Sequence, residues 1–249
     1  LERENQELHR QMRLAAQVQR SMLPRVLPRP PGVAFAAALR ADNHLAGDFY
    51  HAFRLDRDRI GVYLGDVMGH GPAAALLSVF VMQTILPKRI EGDRSQVVPP
   101  ACVLDRLNRD VMVAGFPDQP FLTMVYGILD TARRTWTYCC AGHPPPLLLR
   151  RGHRPTLLSV NAPLLGVFKA PFDQSEVALR PGDRLALYSD GVLGALWGGL
   201  GRGIDGLAAR LDTREPDDLQ SLVDDALRSA DFDDDLRDDI ALLLAQVLD

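Results

Sequence analysis

At 249 residues, 47% hydrophobic and 24% charged, the chain has the size and composition of a globular protein able to bury a large core. Its net charge of −4 excludes a surface built to neutralise nucleic-acid phosphates, which needs clustered Lys and Arg. No apolar run approaches the ~20 residues that cross a bilayer, so a cytoplasmic protein with no signal peptide and no membrane segment is expected.

Residues 1–23 read as a polar helix with a thin apolar seam of Leu1, Leu8, Met12, Ala15 and Met22, close to heptad spacing. Two readings fit the seam: a coiled coil joining two chains as a homodimer through residues 1–23, or an amphipathic helix lying on its own domain. In the first, Asn5 and Gln19 would keep the pairing weak and switchable. The pattern is already helical at Leu1, as expected of a piece of a longer protein. Pro24, Pro28, Pro30 and Pro31 stop the helix and form a stiff connector. Residues 1–31 are thus expected to be an N-terminal helical linker and residues 32–249 the folded domain.

Within that domain, Val33–Arg40, Phe49–Leu55 and Arg59–Val67 are predicted strands, the last two joined at Asp56-Arg57-Asp58. Pro72 opens a strongly apolar helix, Ala73 to about Ile90, with Pro87 ending or kinking it. A second helix is predicted over 101–113, with Leu104, Leu107 and Val111 on one face. Phe121–Leu129 and Thr135–Ala141 form a hairpin about Asp130-Thr131-Ala132-Arg133. Leu147–Arg150, Gln174–Leu179 and Arg184–Tyr188 are further strands, Ile204–Leu211 and Pro216–Ala230 helical stretches, and Ile240–Leu248 a very apolar closing strand. Strands grouped in hairpins, with helices inserted in blocks, indicate an α+β layered fold rather than alternating βαβ units. Cys139 and Cys140 alternate across a strand and Cys102 stands alone, so buried free thiols are expected rather than a disulfide or a zinc site.

Chemistry concentrates in four acidic motifs beside strand-like apolar runs: Gly47-Asp48-Phe49-Tyr50, Gly65-Asp66-Val67-Met68-Gly69-His70-Gly71, Tyr188-Ser189-Asp190-Gly191 and Arg237-Asp238-Asp239-Ile240. A single Asp at a strand end is most often a turn or cap residue. Four at the edges of buried strands suggest one cluster of hard oxygen ligands, since a buried carboxylate needs a partner or a cation. Such donors favour magnesium, manganese or calcium over zinc. The turn after Asp66 lacks the Lys-Ser/Thr of a phosphate-binding loop, because Pro72-Ala73 stand there, and Gly69-His70-Gly71 lacks the third glycine of a dinucleotide site.

These motifs, together with Pro72-Ala73-Ala74, Ala141-Gly142-His143-Pro144-Pro145, Pro163-Leu164-Leu165-Gly166, Pro181-Gly182-Asp183 and Val192, resemble those of the metal-dependent protein phosphatase (PPM, type 2C) family, in its bacterial SpoIIE/RsbU-like branch. The resemblance runs in order from about residue 33 to the end. Gln19-Arg20-Ser21-Met22-Leu23-Pro24 resembles the segment that joins such domains to upstream sensory modules.

The resemblance implies an αββα sandwich of two mainly antiparallel sheets flanked by helices, with two divalent cations, Mn2+ or Mg2+, at one end. Asp66 would bridge both ions and the Val67 carbonyl would add an oxygen. Asp190 and Asp238 would complete one ion and Asp48 would hold the other, with Asp239 ranked below Asp238. It further implies hydrolysis of phosphoserine or phosphothreonine on a bacterial regulatory protein, of the anti-sigma-factor-antagonist type, by metal-activated water without a phosphoenzyme. His70 is a candidate proton donor to the leaving oxygen, with helix capping or turn bracing as its other role. His143, before three prolines, reads as structural.

Departures from the family pattern are His51, Gly194 and Ala241, where Asp, Glu and Thr are usual; none is among the matched ligands. They motivate a different reading, a catalytically weak or inactive phosphatase-like scaffold that acts as a signalling and interaction module. Asn43 and His44 occupy the approach to Asp48, with Arg40 further back, so the sequence offers no clear phosphate-binding arginine.

Overall fold

The computed structural model describes residues 2–41, 45–69, 71–92, 94–160, 162–195, 203–212, 218–228 and 238–249. An N-terminal helix α1 (Glu2–Met22) precedes strands β1 (Val33–Arg40), β2 (Phe49–Arg54) and β3 (Arg59–Val67). Helix α2 (Pro72–Thr84), the short strands β4 (Lys88–Glu91) and β5 (Arg94–Val97) and helix α3 (Pro100–Ala114) follow. Strands β6 (Leu122–Asp130), β7 (Thr135–Ala141), β8 (Leu147–Leu149), β9 (Thr156–Leu157), β10 (Ser175–Ala178) and β11 (Arg184–Tyr188) lead to α4 (Asp190–Ala195), α5 (Gly203–Leu211), α6 (Leu219–Arg228) and β12 (Ile240–Val247).

The strands form two five-stranded sheets, ordered β1-β12-β11-β8-β9 and β10-β7-β6-β3-β2, and every pairing is antiparallel. Side-chain alternation sorts the strands into three apolar layers. Ile60, Val62 and Leu64 of β3 meet Leu185, Leu187 and Leu243 of the other sheet between the two sheets. Tyr63 and Val67 face the other way, onto Leu77 and Val81 of α2 and Leu104 and Leu107 of α3. Leu242 and Leu244 of β12 pack on Leu207 of α5 and on Leu222 and Val223 of α6. Helices therefore cover both outer faces, and the architecture is the expected αββα sandwich. Burial on both faces also explains why β3 and β12 are near-continuous apolar runs instead of alternating ones.

Several local expectations are corrected. The helix expected to about Ile90 ends at Thr84, and a β4–β5 hairpin occupies Lys88–Val97. Pro87 lacks an N–H and disfavours helix at the residue before it, so the chain leaves the helix early. Asp190–Ala195, where the sequence pattern assigns no element, is a short helix. The helix placed at Pro216–Ala230 is observed over Leu219–Arg228; Asp218 precedes it, and the other positions lie outside the described residues. Cys139 and Cys140 are buried free thiols, but Cys102 is exposed, because α3 turns Val103, Leu104 and Leu107 inward and leaves Cys102 on its outer face.

Helix α1 lies on the domain. Ala16 packs with Leu45 and Ala75, and Gln19 is buried, whereas Leu14, Val18 and Met22 remain exposed. Among the described residues no helix is long and apolar enough to cross a membrane.

Candidate metal centre

Strand register brings the acidic motifs to one end of the sandwich. Phe49 pairs with Gly65, so Asp48 and Asp66 come one step further along the same two strands, and Asp66 pairs across with Thr123 of β6. In the other sheet Tyr188 pairs with Leu242. The Ser189 N–H donates to the Ala241 carbonyl at 3.0 Å, and the Ala241 N–H donates to Ser189 Oγ at 2.9 Å. This sets Asp190, the first residue of α4, beside the Asp238-Asp239 lead-in to β12. The two sheets are joined here, because the Gly47 N–H donates to Asp239 Oδ2 at 2.5 Å.

The site grades from a closed floor to an open rim. Asp48 is 2% exposed and Asp239 4%, Asp66 is half-buried, and Asp190 and Asp238 are exposed. Asp48 Oδ2 is buried with no hydrogen-bond partner. Burial, then the nearby Asp66, pushes the Asp48 carboxyl well above the usual range, against a hydrogen bond with Ser189 that works the other way. Asp239 and Asp238 add to the rise. Asp66 is pushed up to about 7 by burial and then by Asp190, Asp238 and Asp239. All five aspartates thus share one electrostatic environment, and among the described residues the charged groups acting on Asp48 and Asp66 are carboxylates.

Among the described residues no three acidic, His or Cys side chains close into a single ligand set. Like charges in a shared low-dielectric site repel and stand apart. The donors nevertheless fit a hard divalent cation: they are oxygens only, they are anionic, and one is a buried orphan that a cation would satisfy.

Other features hold this end in shape. Gly69 and Gly71 take φ of +87° and +84°, giving the sharp bend expected before Pro72 opens α2. At Gly191 a Cβ would overlap the Asp239 carbonyl, so only glycine lets α4 start against the β12 lead-in. Val67 is buried and pairs with Leu122, with its carbonyl against Gly47.

His70, Asn43, His44 and Arg237 lie outside the described residues. His51 does not face the carboxylates: its Nδ1 lies 2.9 Å from the Ala52 carbonyl oxygen and its ring meets the edges of Phe53 and Tyr63. His143 is buried, its Nδ1 lies 2.8 Å from Thr123 Oγ1, and burial holds it down to about 3, so the ring is neutral.

Two residues with no role assigned from the motifs brace the site: Ser189, bonded to the Ala241 N–H, and Thr123, opposite Asp66. Ser189 stands within an acidic motif as a polar residue ending an apolar strand, which was its available signal. Arg40 looks distant in sequence, yet it closes β1 opposite Ile240, one residue from Asp239.

A family model described as Stage II sporulation protein E (SpoIIE) matches residues 56–248. The phosphoserine phosphatase RsbP of Bacillus subtilis (strain 168) is 29% identical over 188 residues, covering 74% of this chain and 45% of RsbP. The phosphoserine phosphatase RsbU of the same organism is 28% identical over 189 residues, covering 75% of this chain and 54% of RsbU. The chain thus spans about half the length of these curated relatives. The SiaA-PP2C domain of Pseudomonas aeruginosa superposes with a TM-score of 0.79 at 20% identity, covering 100% of both chains, a likeness of fold.

Proposed function

The chain belongs to the SpoIIE family of PPM-type phosphatases, and on that footing we propose that it is a metal-dependent protein phosphatase acting on phosphoserine or phosphothreonine. The observation that supports this most is the gathering of Asp48, Asp66, Asp190, Asp238 and Asp239 from both sheets into one electrostatic environment, with Asp48 Oδ2 buried and orphaned.

Asp48, Asp66, Asp190 and Asp238, with the Val67 carbonyl, would hold two divalent cations, Mn2+ or Mg2+. Asp239 takes a supporting place, because its Oδ2 already accepts the Gly47 N–H. Two such ions, when bound, supply the positive charge that acidifies water and neutralises phosphoryl oxygens. The buried Asp48 and Asp239 form the fixed floor of the site. The exposed Asp190 and Asp238 leave the rim open to a phosphorylated side chain carried by another protein. Arg40 is the candidate for contact with the phosphoryl oxygens, by the charge-assisted bonds that guanidinium groups make. His70 is the candidate donor to the leaving oxygen. Burial pushes the Cys139 and Cys140 thiols up to about 12, which keeps them protonated and argues against a cysteinyl phosphoenzyme.

The names of RsbP and RsbU support a phosphoserine substrate. The proposed partner is a small phosphorylated regulator of the anti-sigma-factor-antagonist type in the cytoplasm, with a sensory domain upstream in the full-length chain. Pairing of residues 1–23 between two chains would use the exposed Leu14, Val18 and Met22. The scaffold reading draws little support from the departures: His51 packs among aromatic rings, Gly194 borders open space, and Ala241 is enclosed within β12.

Phosphate release from a phosphorylated antagonist and from p-nitrophenyl phosphate, with added Mn2+, tests the proposal. Release by the wild type that disappears with chelator and in Asp190→Ala is expected. A wild type inert towards both substrates would leave the scaffold reading instead.

A further inference from the structure

Gln19 is 6% exposed, although it lies on a helix whose neighbouring positions face solvent. Its side chain reaches across to the loop before β2. Nε2 donates to the Ala46 carbonyl at 2.5 Å and to Ser78 Oγ at 3.0 Å, and Oε1 accepts the Ala46 N–H at 3.0 Å. One side chain thereby satisfies both backbone groups of one loop residue, as a neighbouring strand would. Ser78 is itself anchored, donating to the Ala75 carbonyl at 2.8 Å.

Ala46 immediately precedes the two residues that enter the acidic site. The Gly47 N–H reaches Asp239 Oδ2, and Asp48 carries the orphaned oxygen. Gly47 lies close against the end of β3, since a Cβ there would stand 2.8 Å from the Val67 carbonyl oxygen. Residues 46–48 are therefore held on three sides: by α1 and α2 through Gln19, by the end of β3, and by the lead-in to β12. Ala46 is 2% exposed, so losing Gln19 strands a buried N–H and a buried carbonyl, a state the loop can relieve only by moving.

We propose that Gln19 is a positioning residue for the acidic site: α1, docked through it, fixes the backbone of Ala46–Asp48 and thereby sets how well Asp48 and Asp239 are presented to a divalent cation. The consequence for metal binding rests on the phosphatase reading, whereas the consequence for the loop does not. Helix α1 becomes more than a connector, because a shift of it relative to the domain would be passed towards Asp48 by the Gln19–Ala46 bonds, beside the packing of Ala16 on Leu45.

The test compares wild type, Gln19→Leu, Gln19→Glu and Ser78→Ala by Mn2+ titration calorimetry, by metal-activation kinetics and by amide hydrogen exchange at Ala46 and Gly47. Gln19→Leu fills the space but bonds neither group of Ala46. It is expected to weaken Mn2+ binding about tenfold, the lower end of what partners of metal ligands contribute, and to speed exchange at both amides. Turnover at saturating Mn2+ should stay near wild type, a split that a merely structural lesion would not produce. Gln19→Glu keeps the acceptor for the Ala46 N–H and should fall between, which preserves the test where Gln19→Leu does not fold. Ser78→Ala leaves both Ala46 bonds and should bind Mn2+ as wild type does. Folded Gln19 variants with wild-type affinity and wild-type exchange would overturn the proposal. A wild type that binds no Mn2+ overturns the phosphatase reading instead. Exchange alone then decides: unchanged rates at Ala46 and Gly47 refute the positioning role, and faster rates uphold it.

Discussion

Asp48 and Asp66 stand side by side at the ends of β2 and β3, and each alters the other's hold on a proton. Asp66 raises the Asp48 carboxyl, while a hydrogen bond with Asp48 draws Asp66 down against burial and its other neighbours. The pair is poised between holding a proton and holding a cation. Both carboxyls bind protons more tightly in the folded chain than in the unfolded one, so without a divalent cation they favour folding in acid and lose that contribution as pH rises above about 4, Asp66 as it passes about 7.

Asp48→Asn removes the buried charge while keeping the shape. Without added metal it is expected to raise stability at pH 7 by about 1–3 kcal/mol, because the amide carries no linkage penalty of a carboxyl whose proton affinity the fold raises. The same substitution should abolish tight Mn2+ binding. Urea denaturation with chelator, beside Mn2+ titration, checks both halves; a variant less stable than wild type with chelator present would contradict the reading of Asp48 as strained.

Gly191→Ala places a Cβ into the Asp239 carbonyl, where backbone rather than a flexible side chain must move. Overpacking of this kind costs about 1–3 kcal/mol, and here it also displaces Asp190 from the β12 lead-in. Thermal unfolding should show the loss, and turnover should fall further than Mn2+ affinity at Asp48 alone would explain. Unchanged turnover would mean that α4 can start elsewhere without cost.

His143 gives the clearest pH signature outside the acidic cluster. Its folded value, about 3, lies below the ordinary 6.5, so its contribution is complete above pH 6.5 and is lost as pH falls from there towards 3. Each pH unit in that window removes about 1.4 kcal/mol. His143→Gln retains a group that can hydrogen-bond Thr123 but does not titrate. Its stability, measured by denaturant at pH 7, 6 and 5, should fall less steeply than that of wild type. Parallel slopes would show that His143 takes up its proton without penalty.

Arg40→Ala should raise KM for a phosphoprotein by about tenfold while leaving Mn2+ affinity near wild type, because the loss of one charge-assisted contact is worth about 1.5–3 kcal/mol. Steady-state kinetics beside calorimetry separates the two effects. An unchanged KM would place phosphate recognition elsewhere.

Much of the sandwich was legible in the chain because its strands are buried on both faces. Runs such as Ile60–Leu64 and Leu242–Ala245 leave little choice of structure once their lengths are counted. Strands β4 and β5 were not, since Lys88–Glu91 and Arg94–Val97 carry no apolar period; Pro87 marked only where the helix must stop. The aspartates stood out because carboxylates are conspicuous beside apolar strands, and register then gathers them. The bonds from Gln19 to Ala46 were not legible, because a polar side chain that bonds to a distant backbone leaves no periodic trace, and the seam fitted a coiled coil and a helix lying on its own domain alike. Distance along the chain likewise conceals that β1, and Arg40 with it, ends beside the start of β12.

Mn2+ titration of the metal-stripped protein and of Asp66→Asn tests the central assignment most directly. The expected result is two ions per wild-type chain, with binding severely weakened in a folded Asp66→Asn variant. A wild type that binds no Mn2+, or an Asp66→Asn variant that binds two ions as tightly as wild type, would contradict it.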